Sequence, residues 1–340
     1  MLNRQIQLVS RPVKGPAVDN FALRTVELRA PVAGEILLRT LYLSLDPYMR
    51  ARMYDGGNYA ASAALGEPMV GSTVSIVAMS NHPDFRVGDY VESGHGWQEF
   101  ALSDGAGLRR IDPDLAPVST ALGILGMPGQ TGYTALMRHG QPRAGETLVV
   151  SAASGAVGSV VGQVAEILGC RVVGIAGGPE KCRFLTDELG FDAAVDHRSP
   201  QFSDELAKAC PSGIDIYYDN VGGRVFETVL PLVNAQARIL VCGTIAVDRN
   251  QPGADGTGSM QALLSTVLVK RLSIRGFIYS DDDLMALAPE FRTRVGQWLR
   301  EGRLRYREQI VHGLENAPEA FLGLFRGDNF GKLVVKVSEP

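Results

Sequence analysis

The sequence predicts an α/β fold: a doubly wound parallel sheet joined to a second, smaller, mostly β domain. Three observations carry that expectation. The chain has 340 residues, more than one domain of roughly 100–200 residues requires. From about Gly145 to Ser280, short β-branched runs alternate with helix-length segments, the signature of βαβ units. The first 125 residues instead carry short alternating runs separated by Gly and Pro.

In the N-terminal part, 35–41, 73–77 and 90–92 read as strands of a compact β domain. In the central region, strands are expected at 147–152, 171–176, 193–196, 214–219, 238–243 and 272–278. Several are nearly continuous apolar runs, as strands covered by helices on both faces require. Helices at 157–168, 180–189, 201–209, 224–233 and 260–269 separate them, and right-handed crossovers give a doubly wound sheet. Beyond Asp281 come a helix over 284–301, a strand over 307–311, a short helix over 318–325 and a terminal strand over 332–337. The C-terminal stretch is expected to return to the N-terminal domain. The domains are therefore 1–125 with 303–340, and 126–302.

Hydrophobic residues make up 45% and charged residues 21%, which suits a globular protein and argues against disorder. With 33 basic and 37 acidic side chains the net charge is −4, so no electrostatic footprint for nucleic acid or an anionic membrane is present. The N-terminus lacks the apolar core of a signal peptide. Two long uncharged stretches, 116–137 and 147–165, are broken by Gly, Ser, Thr or Pro and lack the apolar density of a membrane span. A cytoplasmic location is expected. Cys170, Cys182, Cys210 and Cys242 are far apart with no CxxC pair, supporting neither a disulfide framework nor a structural zinc site.

The strongest local motif runs from Leu148 to Ser159. A predicted strand enters Ala153-x-Gly155-x-x-Gly158 and a helix follows, which is the dinucleotide fingerprint with Ala at its first glycine. Gly155 lets backbone approach a pyrophosphate, Gly158 allows close helix–strand packing, and the helix N-terminus offers unpaired N–H groups. An NAD site places Asp or Glu at the end of the second strand to bind the ribose hydroxyls. Here that strand ends in Ala176-Gly177-Gly178, with Lys181 in the next helix and His197 and Arg198 after the third strand. These cations suit a 2′-phosphate, so NADPH is the expected cofactor. Glu180, an acid beside Lys181, is expected to point along the helix away from the ribose.

Five stretches then carry a family resemblance across essentially the whole chain. They are Leu43-Ser-Leu-Asp-Pro-Tyr-Met-Arg50, Leu125-Gly-Met-Pro-Gly-Gln-Thr-Gly-Tyr133, Ser151-Ala-Ala-Ser-Gly-Ala-Val-Gly158, Asp219-Asn-Val-Gly-Gly223 and Asn329-Phe-Gly-Lys332. The sequence resembles the zinc-independent medium-chain dehydrogenase/reductases, and within them the NADPH-dependent alkenal/one double-bond reductases, which include prostaglandin and curcumin reductases. The resemblance implies a GroES-like substrate domain, a Rossmann domain, a cleft between them and a homodimer. It implies pyrophosphate contacts from Ser154, Gly155, Ala156 and Val157, and a 2′-phosphate contact from Lys181. It further implies cofactor contacts from Asn220, the Cys242-Gly243-Thr244 loop, the strand end Phe277, Ile278 and Tyr279, and Asn329. His197 stands where relatives often carry Tyr.

The implied chemistry is metal-free conjugate reduction of an α,β-unsaturated aldehyde or ketone, with hydride delivered to the β-carbon. The first 125 residues hold no Cys and only His82 and His95, so the Cys/His set of a zinc alcohol dehydrogenase cannot be assembled there. Charge developing on the carbonyl oxygen needs a hydrogen-bond donor, and a proton must reach the α-carbon. Where many relatives place a tyrosine before the last sheet strand, this chain has Val269. Tyr48, the cofactor ribose hydroxyl and ordered water are the remaining donors, and Tyr48 is the catalytic candidate. Tyr59 and Tyr279 are weaker ones. Two alternative functions remain at this point: an NADPH-dependent quinone reductase, and a non-catalytic NADPH-binding scaffold or sensor.

Overall fold

The computed structural model of the chain describes residues 1–56, 59–246 and 257–340, with the side chains of 257–259 left aside. The described chain divides into two compact units, Met1–Gly123 with Glu308–Pro340, and Ile124–Arg307. In the first, β1 (Leu2–Leu8) and β2 (Phe21–Glu27) form an antiparallel ladder running from the Leu2–Glu27 pair to the Leu8–Phe21 pair. The sequence pattern does not announce this ladder, because its buried face is partly polar. Asn3 is 1% exposed, donates to Gln98 Oε1 at 3.0 Å and accepts the Phe100 N–H at 3.0 Å. A buried amide with its partners in place costs little, but it hides the period-2 signal. The strands β3 (Ile36–Ser44), β4 (Thr73–Ser80), β5 (Tyr90–Ser93), β6 (Phe100–Ser103) and β7 (Arg109–Arg110) follow, with a short helix α1 (Tyr48–Arg52) after β3.

The second unit opens with α2 (Met127–Ala135), a helix buried on nearly every side. With no solvent face it has no amphipathic period, which is why the sequence shows only an uncharged stretch there. Strand β8 (Thr147–Ser151) leads through the fingerprint turn to α3 (Gly158–Ile167), and β9 (Arg171–Ala176) follows. Helix α4 (Pro179–Arg183) continues in wider turns through Glu188, then come β10 (Ala193–Asp196) and α5 (Phe202–Ala209). Next are β11 (Ile214–Asp219), α6 (Gly223–Val229), β12 (Val233–Val241), α7 (Thr257–Lys270) and β13 (Ser273–Gly276).

All six strands are parallel in the order β10-β9-β8-β11-β12-β13, the Rossmann arrangement, with winding reversed between β8 and β11. Strand β12 starts earlier than its apolar run. Its pairing shifts register between the Ile214–Val233 and Ile216–Arg238 partners, and Gln236 takes φ 64°. The long helix expected over 284–301 is two pieces, α8 (Asp282–Met285) and α9 (Ala288–Arg300). Pro289 sits in the first turn of α9, where a missing N–H costs nothing and a fixed φ starts a helix rather than continuing one.

The chain then returns to the first unit through β14 (Glu308–His312), α10 (Ala317–Arg326) and β15 (Lys332–Lys336). They extend the mixed sheet to β14-β15-β3-β4-β5-β7, with β6 also paired to β3. Helix α10 packs onto an aromatic and methionine core around α1. Trp97 stacks on Phe21 at 5.3 Å, Phe321 meets both edge-on at 5.7 and 6.2 Å, and Met49, Met53 and Met69 fill the remainder. Among the described residues no helix is long and apolar enough to cross a membrane.

Candidate cofactor-binding site

The carboxyl ends of β8 and β11, where the sheet winding reverses, are the position at which an open parallel sheet presents a crevice. The turn after β8 is tightly constrained. Ala152 adopts φ 48°, a left-handed conformation that costs an alanine roughly 1–2 kcal/mol. Gly155 N–H closes the turn on Ala152 O at 2.9 Å, and Ala153 N–H is held by Ile175 O of β9 at 3.0 Å. Ser154 is buried, Gly155 and Ala156 are half-buried, Val157 precedes α3, and Gly158 is its first residue. A Cβ on Gly158 would lie 2.5 Å from Ala152 O and 2.8 Å from Ala153 Cα, so only glycine lets helix and turn approach this closely. At Gly155 a Cβ would meet Ala152 O alone, at 3.1 Å, and its remaining surroundings are open to a ligand. Strain kept at a turn of this kind is characteristic of functional positions.

Across the reversal, β8 and β11 are fastened by a network the sequence reading did not single out. Ser151 Oγ donates to Asp219 Oδ1 at 2.9 Å, and Asn220 N–H donates to Ser151 Oγ at 2.8 Å. Asp219, 1% exposed, also accepts the Tyr217 hydroxyl at 2.8 Å and the Val221 and Gly222 N–H groups at 3.0 Å each. Asn220 Nδ2 donates to Ser151 O at 2.8 Å, so the amide is held in one orientation beside the fingerprint turn. The Cys242-Gly243-Thr244 loop is drawn to the same place, since Cys242 and Gly243 N–H both donate to Asp219 O, at 2.8 and 3.2 Å. Burial pushes the Cys242 thiol up to about 12, which disfavours the thiolate. Phe277 is buried between the Tyr218 and His139 rings, each 6.0 Å away, Ile278 N–H is capped by Asp281 Oδ2 at 3.0 Å, and Tyr279 is 41% exposed.

The cationic residues lie at the end of β9. His197 N–H donates to Ala176 O at 3.0 Å, continuing β10 alongside β9 for one further residue. Asp196 Oδ1 accepts both Gly178 N–H and Arg198 N–H at 2.9 Å. Burial works against this carboxylate, but those two donors hold it below the usual range. Through Oδ1 it serves the backbone of the turn. A Cβ on Gly177 would stand 2.9 Å from His197 Nε2 and 3.1 Å from Arg198 Nε, so both side chains lie over a backbone stripped of side-chain bulk. Burial, and then Arg198, lower the proton affinity of His197, and Lys181 and Arg224 lower it further against the opposing Asp196. Lys181 in α4, His197, Arg198 and Arg224 thus share one electrostatic neighbourhood. Arg224 was not legible as a member; its one sequence cue is its place directly after Asn220-Val-Gly-Gly.

Tyr48 and Asn329 belong to the other unit. Tyr48 is the first residue of α1, half-buried against the Met49 and Trp97 core. Asn329 Nδ2 donates to Gly331 O at 3.1 Å. The two motifs containing them are joined by a buried ion pair. Lys332 Nζ donates to Asp46 Oδ1 and Ser44 Oγ, both at 2.6 Å, and to Leu45 O at 3.1 Å, while the Ser44 hydroxyl donates to the other Asp46 oxygen. Val269, on α7, is 69% exposed, and Tyr59 is 59% exposed. Among the described residues no three His, Cys, Asp or Glu side chains cluster as a metal site.

Comparison with known proteins gives the following likenesses. Residues 4–111 match the family model described as the N-terminal domain of oxidoreductase, and residues 156–294 match the one described as zinc-binding dehydrogenase. The chain is 49% identical to the NADPH-dependent curcumin reductase of Escherichia coli, over 99% of this chain and 97% of that one. It is 39% identical to the NADP(+)-dependent 2-alkenal reductase of Nicotiana tabacum, over 99% and 98%. Among solved structures, CurA from Vibrio vulnificus in complex with NADPH superposes with a TM-score of 0.93 at 50% identity, covering 99% of this chain and all of that one.

Proposed function

The chain belongs to the NADPH-dependent alkenal reductases of the medium-chain dehydrogenase/reductase family, and from that membership we propose that its substrates are hydrophobic α,β-unsaturated aldehydes and ketones. It is an NADP-dependent oxidoreductase that reduces the C=C bond and leaves the carbonyl in place. The observation that carries the cofactor reading is the end of β9. There a glycine pair faces His197 and Arg198, Lys181 is close by, and the nearby carboxylate, Asp196, is engaged by backbone donors. Such a group fits a 2′-phosphate, and the strand end lacks the carboxylate that accepts from a free ribose diol.

We assign the pyrophosphate to Ser154, Gly155, Ala156, Val157 and Gly158, and the 2′-phosphate to Lys181, His197 and Arg198. Asn220, Cys242, Gly243, Thr244, Phe277, Ile278, Tyr279 and Asn329 complete the cofactor set. NADPH, when bound, supplies the hydride that adds to the β-carbon. The chain's own part is to orient and to stabilise charge. The Ser151–Asp219–Asn220 network holds the fingerprint turn and the Cys242 loop in fixed relation, so little reorganisation is left for the moment of binding. Tyr48 donates a hydrogen bond to the carbonyl oxygen as negative charge develops on it, the type of interaction that is stronger in the transition state than in the ground state.

Product analysis tests this reading. A medium-chain 2-alkenal incubated with NADPH is expected to yield the saturated aldehyde. An allylic alcohol, or binding of NADPH without turnover over a broad panel of enals and enones, overturns it.

The same reading includes a homodimer. Among the described residues strand β13 closes one end of the parallel sheet with its four residues exposed, and the neighbouring α7 exposes Leu264, Leu268 and Val269 at 61, 77 and 69%. Apolar side chains beside an unpaired sheet edge are a surface that a second copy covers through an isologous two-fold contact. Leu268→Glu is expected to convert a dimer to monomer in light scattering after size exclusion. A monomeric parent protein contradicts the assignment.

A further inference from the structure

The cations at the end of β9 differ in kind. Lys181 and Arg198 carry their charge at any physiological pH, whereas an imidazole titrates there. His197 Nε2 and Arg198 Nε lie over Gly177, with a Cβ at that glycine only 2.9 and 3.1 Å from them, so the ring sits in the pocket assigned to the 2′-phosphate. Its backbone is pinned by Ala176 O, and the adjoining Asp196 is bound to Gly178 and Arg198 N–H, so the loop holds the ring in place without lending it a committed countercharge. We propose that His197 is a proton-linked selector of NADPH: it enters the complex as imidazolium, taking one proton from solvent, and pairs with the 2′-phosphate in that form. This rests on the assignment of the phosphate to Lys181, His197 and Arg198.

The charges facing His197 set the sign. In the free protein, burial and Arg198 from its own loop, Lys181 from α4 and Arg224 from α6 all favour the neutral ring, and Asp196 alone opposes them. A dianion placed among these cations reverses the balance and raises the proton affinity of the ring. Its pKa in the complex is then higher than in the free protein. Below the free value both states are protonated, and the ring adds no pH dependence to that of the phosphate's own ionisation. Between the two values affinity falls as pH rises, by up to about tenfold per unit, and above the bound value it is weak and again flat. NADH, which lacks the phosphate, shows no such slope.

Calorimetric titration of the full chain with NADPH, in two buffers of different ionisation enthalpy, counts the protons taken up. About pH 7.5 is suitable, because the phosphate's second ionisation near ~6 is then complete. Net uptake is expected with the parent protein and none with NADH or with His197→Gln, which keeps a hydrogen-bonding side chain but cannot ionise. At and above about pH 7, where the phosphate is largely dianionic, the affinity of His197→Gln for NADPH is expected to be nearly independent of pH. No uptake by the parent, or the same uptake by His197→Gln, overturns the proposal. Lys181→Ala separates the two ways of failing. If it leaves the NADPH:NADH affinity ratio unchanged, the phosphate assignment itself is wrong. If the ratio collapses while His197→Gln still takes up the proton, the pocket stands and the linkage alone is lost.

Discussion

Lys332→Met is expected to destabilise the mixed-sheet unit by about 3–5 kcal/mol, the loss typical of breaking a buried ion pair from one side. The pair is almost wholly removed from water, with Lys332 at 4% and Asp46 at 5% exposure, and the ammonium makes three hydrogen bonds, to Asp46, Ser44 and Leu45. Methionine keeps the apolar stem, so the loss measures charge and not a cavity. What remains is a buried Asp46 carboxylate supported by the Ser44 hydroxyl alone. Asp46 also begins the turn into α1, since its carbonyl accepts the Met49 N–H at 3.1 Å, so loosening it disturbs the turn that carries Tyr48. Urea unfolding followed by circular dichroism reads the loss. Adding Asp46→Leu to Lys332→Met is expected to recover part of it, because two apolar side chains tolerate burial better than one unpaired charge. A loss under about 1 kcal/mol in the single variant means that the pair contributes no more than one at the surface.

Lys181→Ala is the second large effect, on affinity and not on stability. A charge-assisted hydrogen bond to phosphate contributes about 1.5–3 kcal/mol, so NADPH affinity should fall roughly 10- to 150-fold. NADH affinity should change little, and the preference between the two cofactors should shrink by the same factor. The half-exposed position of Lys181 on α4 favours the lower part of that range, because solvent and salt screen the charge. Fluorescence titration with both cofactors at one ionic strength measures it. An unchanged ratio removes Lys181 from the phosphate site.

Much of the parallel sheet is legible in the chain because its physics is local. Strands covered on both faces are largely apolar, and β9, β10 and β11 span the ranges 171–176, 193–196 and 214–219 expected from the sequence. The fingerprint is legible for a related reason. Gly158 is required by a contact with residues only a few positions away, Ala152 and Ala153, so its cause lies within the motif itself. Less could be read where burial hides the pattern: in the first unit the β1–β2 ladder buries Asn3 and breaks the alternation, and in the second unit α2 is buried on nearly every side and so loses its periodicity.

The amino-acid order alone determined the doubly wound architecture, the tight glycine turn after β8 and the lack of an acid at the end of β9, each a property of neighbours along the chain. Only the tertiary structure revealed which distant residues act together. Asp46 meets Lys332 across most of the chain's length, Ser151 meets Asp219 and Asn220 where the sheet reverses, and Gly177 meets His197 through strand pairing. The reason is that burial and charge act through space. A lysine at 332 or an aspartate at 46 carries no mark of its partner until the strands bring the two within a few ångströms.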